Sequence, residues 1–435
     1  MTRPTPRAMA LALGGLPVAA APVLFGDDWA LVWLLAVGAL ATALALELAL
    51  LPGSRRVAAQ VDVPGAVHLT QPAAVRIRVV AAFTARVEAE LEVTGDLDPV
   101  PPLEFSCRPG LPEELEAPLR PRRRGLLRVH ALHLRWRGLL GLLWREHRAA
   151  CAHELQVLPD LLTTRRQALR IASSREFQLG QRVERYIGDG SEFEALRDFV
   201  SGMDRRAVDW KASARHRALL CREFRAERNH QVMLCIDCGR LMGEPLDGIP
   251  RLDHAIHAAL QLGQVCLRTG DRVGMFAFAE HRRATVAPAA GLAAMQAIQQ
   301  QLTAIDYTAE ETNYTRSFTE LLRGLRRRTL VVLFTDFVDS IAAELMLPSV
   351  QRLARRHLVL LVVLRDPLLP RLADARPDSP EALHRSAVAA EMTHDRDLVL
   401  ERVRRSGGQV IDAPSRRVAV ELIDRYLQIK RRELV

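Results

Sequence analysis

The sequence predicts an α/β protein. Its C-terminal part is a doubly wound, mostly parallel sheet, preceded by a small β-sandwich-like module and an N-terminal two-helix transmembrane hairpin. Three observations carry this expectation. From residue 230 onward, short apolar strand runs alternate with amphipathic helical runs, the pattern of a sheet covered on both faces. From about residue 60 the apolar period shortens to two, as in half-exposed strands. Before residue 56 stand two long apolar runs with almost no charge. The expected domains are therefore 1–56, the hairpin; 60–162, the β-rich module; 163–229, a connector; and 230–435, the α/β domain.

The chain has 435 residues, 49% hydrophobic and 26% charged, which is the composition of a multidomain globular protein and not of a disordered one. Net charge is +9, but acids and bases are interleaved, and aromatics, at 5%, do not alternate with basic residues. No nucleic-acid partner is therefore expected; attraction to anionic membrane lipid is the simpler account. Only two of the basic residues are lysines, Lys211 and Lys430. The six cysteines are scattered, so a reducing compartment is expected, and Cys235-x-x-Cys238 lacks the second pair that a zinc site requires.

The first apolar run, Ala8–Phe25, has 18 residues and the second, Trp29–Leu51, has 23. At about 1.5 Å per residue both reach across a hydrocarbon core. Arg3 and Arg7 with the small residues at 19–21 could alternatively mark a cleaved leader, but the second run favours a hairpin closed by Gly26–Asp28. Arg3, Arg7, Arg55 and Arg56 flank the pair while the loop carries Asp27 and Asp28, which predicts both ends in the cytoplasm. The expected topology is two-pass, with the soluble domains on the cytoplasmic side.

In the β-rich module, AAVRIRVVAAF and RVEAELEVTG alternate cleanly. The proline-dense run from Leu97 to Pro121 reads as loops and edge strands, and GLLRVHALHLRWRGLLGLLWREH resumes alternation. His130, His133 and His147 share no metal-ligand spacing and are expected at the surface or across strands. Arg120–Arg124 reads equally as a lipid contact or a solvated turn.

In the α/β domain the strand QVMLCID ends at Asp237 and the strand TLVVLFTD ends at Asp336. Sites in such sheets form at the carboxyl ends of strands. With Thr312 in the loop ETNYT, these carboxylates resemble the metal site of the von Willebrand factor A domain. That family uses a D-x-S-x-S run, a Thr and a later Asp. Here Gly239 and Leu241 replace both serines. The resemblance implies a degenerate Mg2+ site at Asp237, Thr312 and Asp336, or else carboxylates that cap loops, with Arg240 able to fill the cation's place.

The connector reads EFEALRDFVSGMDRRAVDWKASAR. It resembles the signature of the bacterial family called domain of unknown function 58, through Glu192, Phe193, Leu196, Arg197, Gly202, Asp204, Arg205, Arg206, Trp210, Lys211, Ser213, Ala214 and Arg215. Phe199 stands where that pattern has Tyr, and Met203 displaces its Asp to Asp204. RRRGLLRVHALHLRWRGLLGL also resembles the family's strand pair, without its Asp-Pro before Phe-Gly-Leu. Two roles are open for the signature. Trp210 anchors the connector while Lys211 and the arginines pair with carboxylates; or these cations dock an acidic partner. A lysine kept in an arginine-rich chain suggests a compact charge in a confined slot.

No nucleophile–base–orienter set, phosphate-cradling glycine loop or H-E-x-x-H run is present, so no enzymatic activity is expected. The family resemblance implies a membrane-anchored adaptor or scaffold for a MoxR-type AAA+ ATPase in protein-complex maturation or envelope functions. The alternatives are a metal-dependent, adhesion-type ligand module and an uncharacterised hydrolase.

Overall fold

The computed structural model describes residues 2–25, 28–69, 71, 73–159, 187–200, 208–216, 218–225, 230–337 and 340–432. The chain divides into two compact units, Met1–Asp160 and Leu161–Val435.

In the first unit a short strand β1 (Thr2–Pro4) leads into helices α1 (Pro6–Phe25) and α2 (Asp28–Leu50). Thr5 starts α1 as its N-cap, its Oγ1 accepting from the Ala8 N–H at 3.2 Å, with Pro6 at the first helical position where no N–H is missed. Among the described residues one segment, Leu31–Arg56, is long and apolar enough to cross a membrane, with mean hydropathy 2.3. The expected connector at Gly26 and Asp27 lies outside the described residues.

The strands that follow are β2 (Val57–Asp62), β3 (Ala66–His68), β4 (Ala73–Ala81), β5 (Ala85–Thr94), β6 (Leu103–Cys107), β7 (Pro112–Leu119), β8 (Gly125–Arg137) and β9 (Leu143–Leu158). Among the described residues they form two sheets, β1-β9-β8-β5-β6 with β3 also on β9, and β2-β4-β7. β6 and β7, both from the proline-dense run, are edge strands, and in β7 the nitrogens of Pro112 and Pro118 cannot donate into a ladder. Period two is visible in burial: Val75, Ile77, Val79 and Ala81 of β4 are buried while Arg76, Arg78 and Val80 face out. Trp136, fully buried on β8, lies 5.3 Å from the Phe83 ring and donates its indole N–H to the Pro52 carbonyl at 3.3 Å. His133 takes the cross-strand place expected of it, between Glu146 on β9 and Glu92 on β5.

The second unit begins, within the described residues, with the antiparallel pair β10 (Ile187–Asp198) and β11 (Leu220–Arg225) and the seven-residue helix α3 (Trp210–His216). Then come β12 (Gln231–Asp237), α4 (Arg251–Arg268), β13 (Arg272–Phe278), β14 (Arg282–Ala289), α5 (Leu292–Thr303), α6 (Tyr314–Gly324), β15 (Leu330–Phe334), α7 (Ser340–Ala354), β16 (Leu358–Arg365), α8 (Leu368–Ala373), α9 (Pro380–Arg405), β17 (Gln409–Pro414) and α10 (Val418–Arg431). The strand order is β14-β13-β12-β15-β16-β17, parallel throughout except for the antiparallel edge strand β14.

β12 shows why the sheet is covered on both faces. Val232, Leu234 and Ile236 join one core with residues of α4, α5 and α10, whereas Met233 and Cys235 join a second with residues of α6, α7 and α9. Each such fully buried aliphatic side chain contributes about 1.5–3 kcal/mol. Cys235 and Cys238 fall in opposite cores, so the C-x-x-C spacing is a packing feature. β14 was not expected from the sequence. Its edge position tolerates Pro288, and Gly274 opposite it has no room for a side chain, since a Cβ would lie 2.7 Å from the Val286 carbonyl oxygen.

The confined slot expected around Lys211 is found instead around Lys430. Its ammonium donates to the Asp271 carboxylate at 2.8 Å and the Thr269 carbonyl at 2.9 Å, with the Tyr426 hydroxyl at 3.5 Å. Asp271 is fully buried, and burial would raise its carboxyl. His230, Lys430 and Tyr426 outweigh that and hold it below its ordinary range.

His357, just before β16, is buried, and neither of its ring nitrogens meets a partner among the described residues. Burial, then the Arg356 charge, lowers its pKa. Its contribution to stability is therefore present above the unfolded value of about 6.5 and lost as pH falls through the folded one. In thermal melts between neutral and mildly acidic pH, His357→Phe is expected to flatten the acid-side fall in Tm; an unchanged slope would refute this.

Candidate functional site

β12 and β15 are neighbours, yet the chain continues from β12 to β13 on one side and from β15 to β16 on the other. Their carboxyl ends therefore flank a topological switch point, where open α/β sheets form crevices. Asp237 ends β12, and Thr335 and Asp336 directly follow β15.

The Asp237 carboxylate is buried, and each of its oxygens accepts two hydrogen bonds. Oδ1 takes the Thr312 hydroxyl at 2.6 Å and the Gly239 N–H at 2.9 Å. Oδ2 takes the Thr335 hydroxyl at 2.6 Å and the Tyr314 hydroxyl at 3.1 Å. Burial pushes this carboxyl above its ordinary range, and the four donors oppose that shift without cancelling it. Tyr314 is fixed by its ring, which lies 6.4 Å from Phe278 and 5.9 Å from Phe318, and by its place in the first turn of α6, capped by Asn313. Burial, then the Asp237 charge, raises its phenol well above the usual value. Gly239 has a steric reason to be glycine: a Cβ there would lie 2.1 Å from the Thr312 hydroxyl oxygen.

Asp336 faces a different set of groups. Its Oδ2 accepts from Arg251 Nη1 at 2.6 Å, and its Oδ1 from Arg396 Nη1 at 3.1 Å and the Phe337 N–H at 2.9 Å. Arg396 also donates to the Leu364 carbonyl and to Asp412 Oδ1, both at 2.9 Å. Arg365 reaches the other Asp412 oxygen at 3.0 Å. Burial would lower the Arg396 pKa, but the Asp336 and Asp412 charges more than offset it. The network joins the start of α4, the ends of β15 and β16, the middle of α9 and β17.

Of the three candidate metal ligands, the structure brings Thr312 onto Asp237 and turns Asp336 toward two arginines. This donor set does not fit a hard divalent cation. A carboxylate offers about four lone-pair sites, and those of Asp237 are occupied by donors. The Asp336 charge is compensated twice over, and no group of three or more His, Cys, Asp or Glu placed to hold a metal occurs among the described residues. Arg240 is not the substitute cation; it is half-exposed on Glu311 at 2.7 Å. The arginines that take that part, Arg251 and Arg396, lie far from Asp336 in sequence and were missed for that reason. Tyr314 and Thr335 were legible as neighbours of Thr312 and Asp336.

The connector signature is only partly described. Gly202, Asp204, Arg205 and Arg206 lie outside the described residues, and Glu192, Phe193 and Arg197 are placed in β10 by their backbone alone. Leu196 is exposed on β10. Asp209 caps α3, accepting from the Lys211 and Ala212 N–H groups at 3.0 Å each. The Ser213 hydroxyl accepts from the Leu220 N–H at 2.8 Å and so ties α3 to β11. Trp210 does not anchor this element: its side chain is 70% exposed. Lys211 and Arg215 are exposed as well, because α3 packs through Ala212 and Ser213.

Gly239→Ala is expected to lower stability by about 1–3 kcal/mol, by driving Thr312 off Asp237. Adding Thr312→Ala should recover part of that loss, a coupling that a double-mutant cycle of denaturation midpoints would read. Arg396→Met should cost about 3–5 kcal/mol, since it strands two carboxylates. Thermal unfolding with EDTA and with Mg2+ is expected to coincide; a Mg2+-dependent rise in Tm would contradict the fit argument.

No curated protein matches the chain. Several solved structures are similar to parts of it. The conserved hypothetical protein BatB from Bacteroides thetaiotaomicron shares 12% identity over 47% of this chain and 100% of its own, at TM-score 0.31. An aerotolerance-related membrane protein from Bacteroides fragilis shares 15% over 46% of this chain and 99% of its own, at TM-score 0.30. An uncharacterized membrane-spanning protein from Vibrio fischeri shares 15% over 47% of this chain and 100% of its own, at TM-score 0.16. In the chain itself, the stretch from the connector signature through α9, residues 195–405, is matched by the model of the family described as protein of unknown function DUF58.

Proposed function

We propose that the protein is a non-enzymatic, membrane-tethered adaptor or scaffold. One observation carries this reading: at the strand ends where such a sheet would bind or react, both carboxylates are engaged by internal partners, Asp237 by four donors and Asp336 by two arginines. The site fixes the shape of its loops and leaves no charge free for chemistry. We further read residues 230–435 as a von Willebrand factor A-like domain. In support are the strand order with its antiparallel edge and the positions of Asp237, Thr312 and Asp336. The apolar segment Leu31–Arg56, with α1 before it and arginines at positions 3, 7, 55 and 56, supports a two-pass anchor in a bacterial inner membrane with both ends cytoplasmic.

The partner implied by the resemblance of the signature is a MoxR-type AAA+ ATPase. The exposed pair Trp210 and Lys211 on α3 offers it a tryptophan anchor, a residue type that dominates interface energetics, beside a cation that can meet an acidic group. Full-length protein cross-linked in native membranes is expected to recover that ATPase. Trp210→Ala and Lys211→Ala should each reduce recovery several-fold without changing Tm. Wild-type protein that recovers no AAA+ ATPase would refute the partnership, and undiminished recovery by both variants would refute the surface.

A further inference from the structure

The turn between β8 and β9, Gly138-Leu139-Leu140-Gly141-Leu142, belongs to none of the sites described above. It carries two adjacent exposed leucines, Leu139 at 88% and Leu140 at 51% exposure, at the tip of the hairpin that the two strands form. Exposed leucines on a turn are unremarkable alone. What distinguishes these is how the turn is held.

It is bonded to the bases of both N-terminal helices. At the start of α1, the Thr5 hydroxyl donates to the Gly141 carbonyl at 2.8 Å and the Thr5 N–H to the Leu142 carbonyl at 2.9 Å. In the last turn of α2, the Glu47 carboxylate accepts from the Leu142 N–H, at 3.0 Å on one oxygen and 2.9 Å on the other. Gly138 lies flat against that carboxylate, since a Cβ there would be 2.3 Å from Glu47 Oε1. Gly141 supplies a left-handed backbone, φ +68°, that closes the turn. Glu47, the one acid of the second apolar run, is thereby 2% exposed.

Glu47 stands three residues before the end of α2, about 4.5 Å along the helix axis. The turn therefore lies beside the apolar helix, level with the exposed Leu46, Leu48 and Leu50, and not below its end. Where the turn leaves β8 and enters β9, the Arg137 guanidinium stacks over the Trp144 ring at 4.3 Å, and Arg7, Arg55 and Arg56, near the start of α1 and just past the end of α2, are exposed. An aromatic ring with arginines around an apolar tip, beside the end of an apolar helix, is the composition of a membrane interface.

We propose that the β8–β9 turn is a third membrane contact: Leu139 and Leu140 enter the headgroup–acyl boundary beside α2, while Arg137 and its neighbours meet lipid phosphates. The contact rests on the membrane-tethered reading given above. It would hold the β module against the bilayer surface, and it explains why a carboxylate sits in the last turn of an apolar helix, as the latch that fixes the turn at that depth.

The test is photo-cross-linking of the full chain reconstituted in phosphatidylethanolamine–phosphatidylglycerol vesicles. Leu35 of α2, Leu139 of the turn and Leu126 at the far end of β8 are exchanged in turn for a benzophenone-bearing residue; all three are exposed, so none is needed for packing. Leu126 is eleven residues from Arg137 along one strand, roughly 35 Å away. Lipid adducts are expected at 35 and 139 in comparable yield, and about tenfold less at 126. Adducts at 35 without adducts at 139 overturn the proposal and leave the membrane anchor standing. Absence at both 35 and 139 overturns the anchor and the proposal together. Equal yield at all three positions overturns the placement of the turn.

Discussion

The C-terminal domain is organised around the cost of ending parallel strands on buried acids. Asp336 follows β15 in a place with little water, where an unpaired carboxylate would be strongly disfavoured. The chain answers with two guanidiniums drawn from distant segments, Arg251 at the first position of α4 and Arg396 within α9. Because Arg396 spans from Asp336 to Asp412 and the Leu364 carbonyl, a single side chain sets the relation of three strand ends to one helix. The planar fork of arginine suits this and a lysine would not, since one point charge cannot serve acceptors in several directions at fixed angles. Asp237 is handled differently, by neutral donors, which oppose the upward shift that burial imposes on its carboxyl without cancelling it. Two neighbouring acids are thus accommodated by two solutions, one ionic and one hydroxylic.

The β module shows the same economy with backbone groups. Its sheets end on β6, on β7, where Pro112 and Pro118 limit further pairing, on β2, and on β1, which occupies only the first residues of β9. The Trp136 indole, otherwise enclosed by apolar neighbours, finds its acceptor in Pro52 just past α2, so the core of the module also fixes where the apolar helix leaves it.

Much of the fold was legible in the sequence because period and length are local properties. The alternation in β4 and β5, Gly270 closing α4 and the Ser379–Pro380 start of α9 are each written within a few residues. Asp237, Thr312 and Asp336 could be found from strand ends and a loop motif. What could not be read was partner choice. Nothing near Arg396 announces Asp336, 60 positions earlier, and nothing near Lys430 announces Asp271, 159 positions earlier. Strand β14 escaped because an edge strand may carry prolines and arginines that a central strand excludes. A lysine held in a confined slot is present, but it is Lys430 on Asp271, while Lys211 is exposed on α3.

With Lys430 engaged at the end of α10, Lys211 is the one lysine whose side chain stands exposed, and every other basic side chain apart from histidine is a guanidinium. Guanidiniums stay charged at every pH at which the protein is folded, and acetylation of lysine leaves them untouched. The surplus of positive charge is therefore close to a fixed property of the molecule. A cell could adjust it by modifying amines at a single side chain, on α3 beside Trp210.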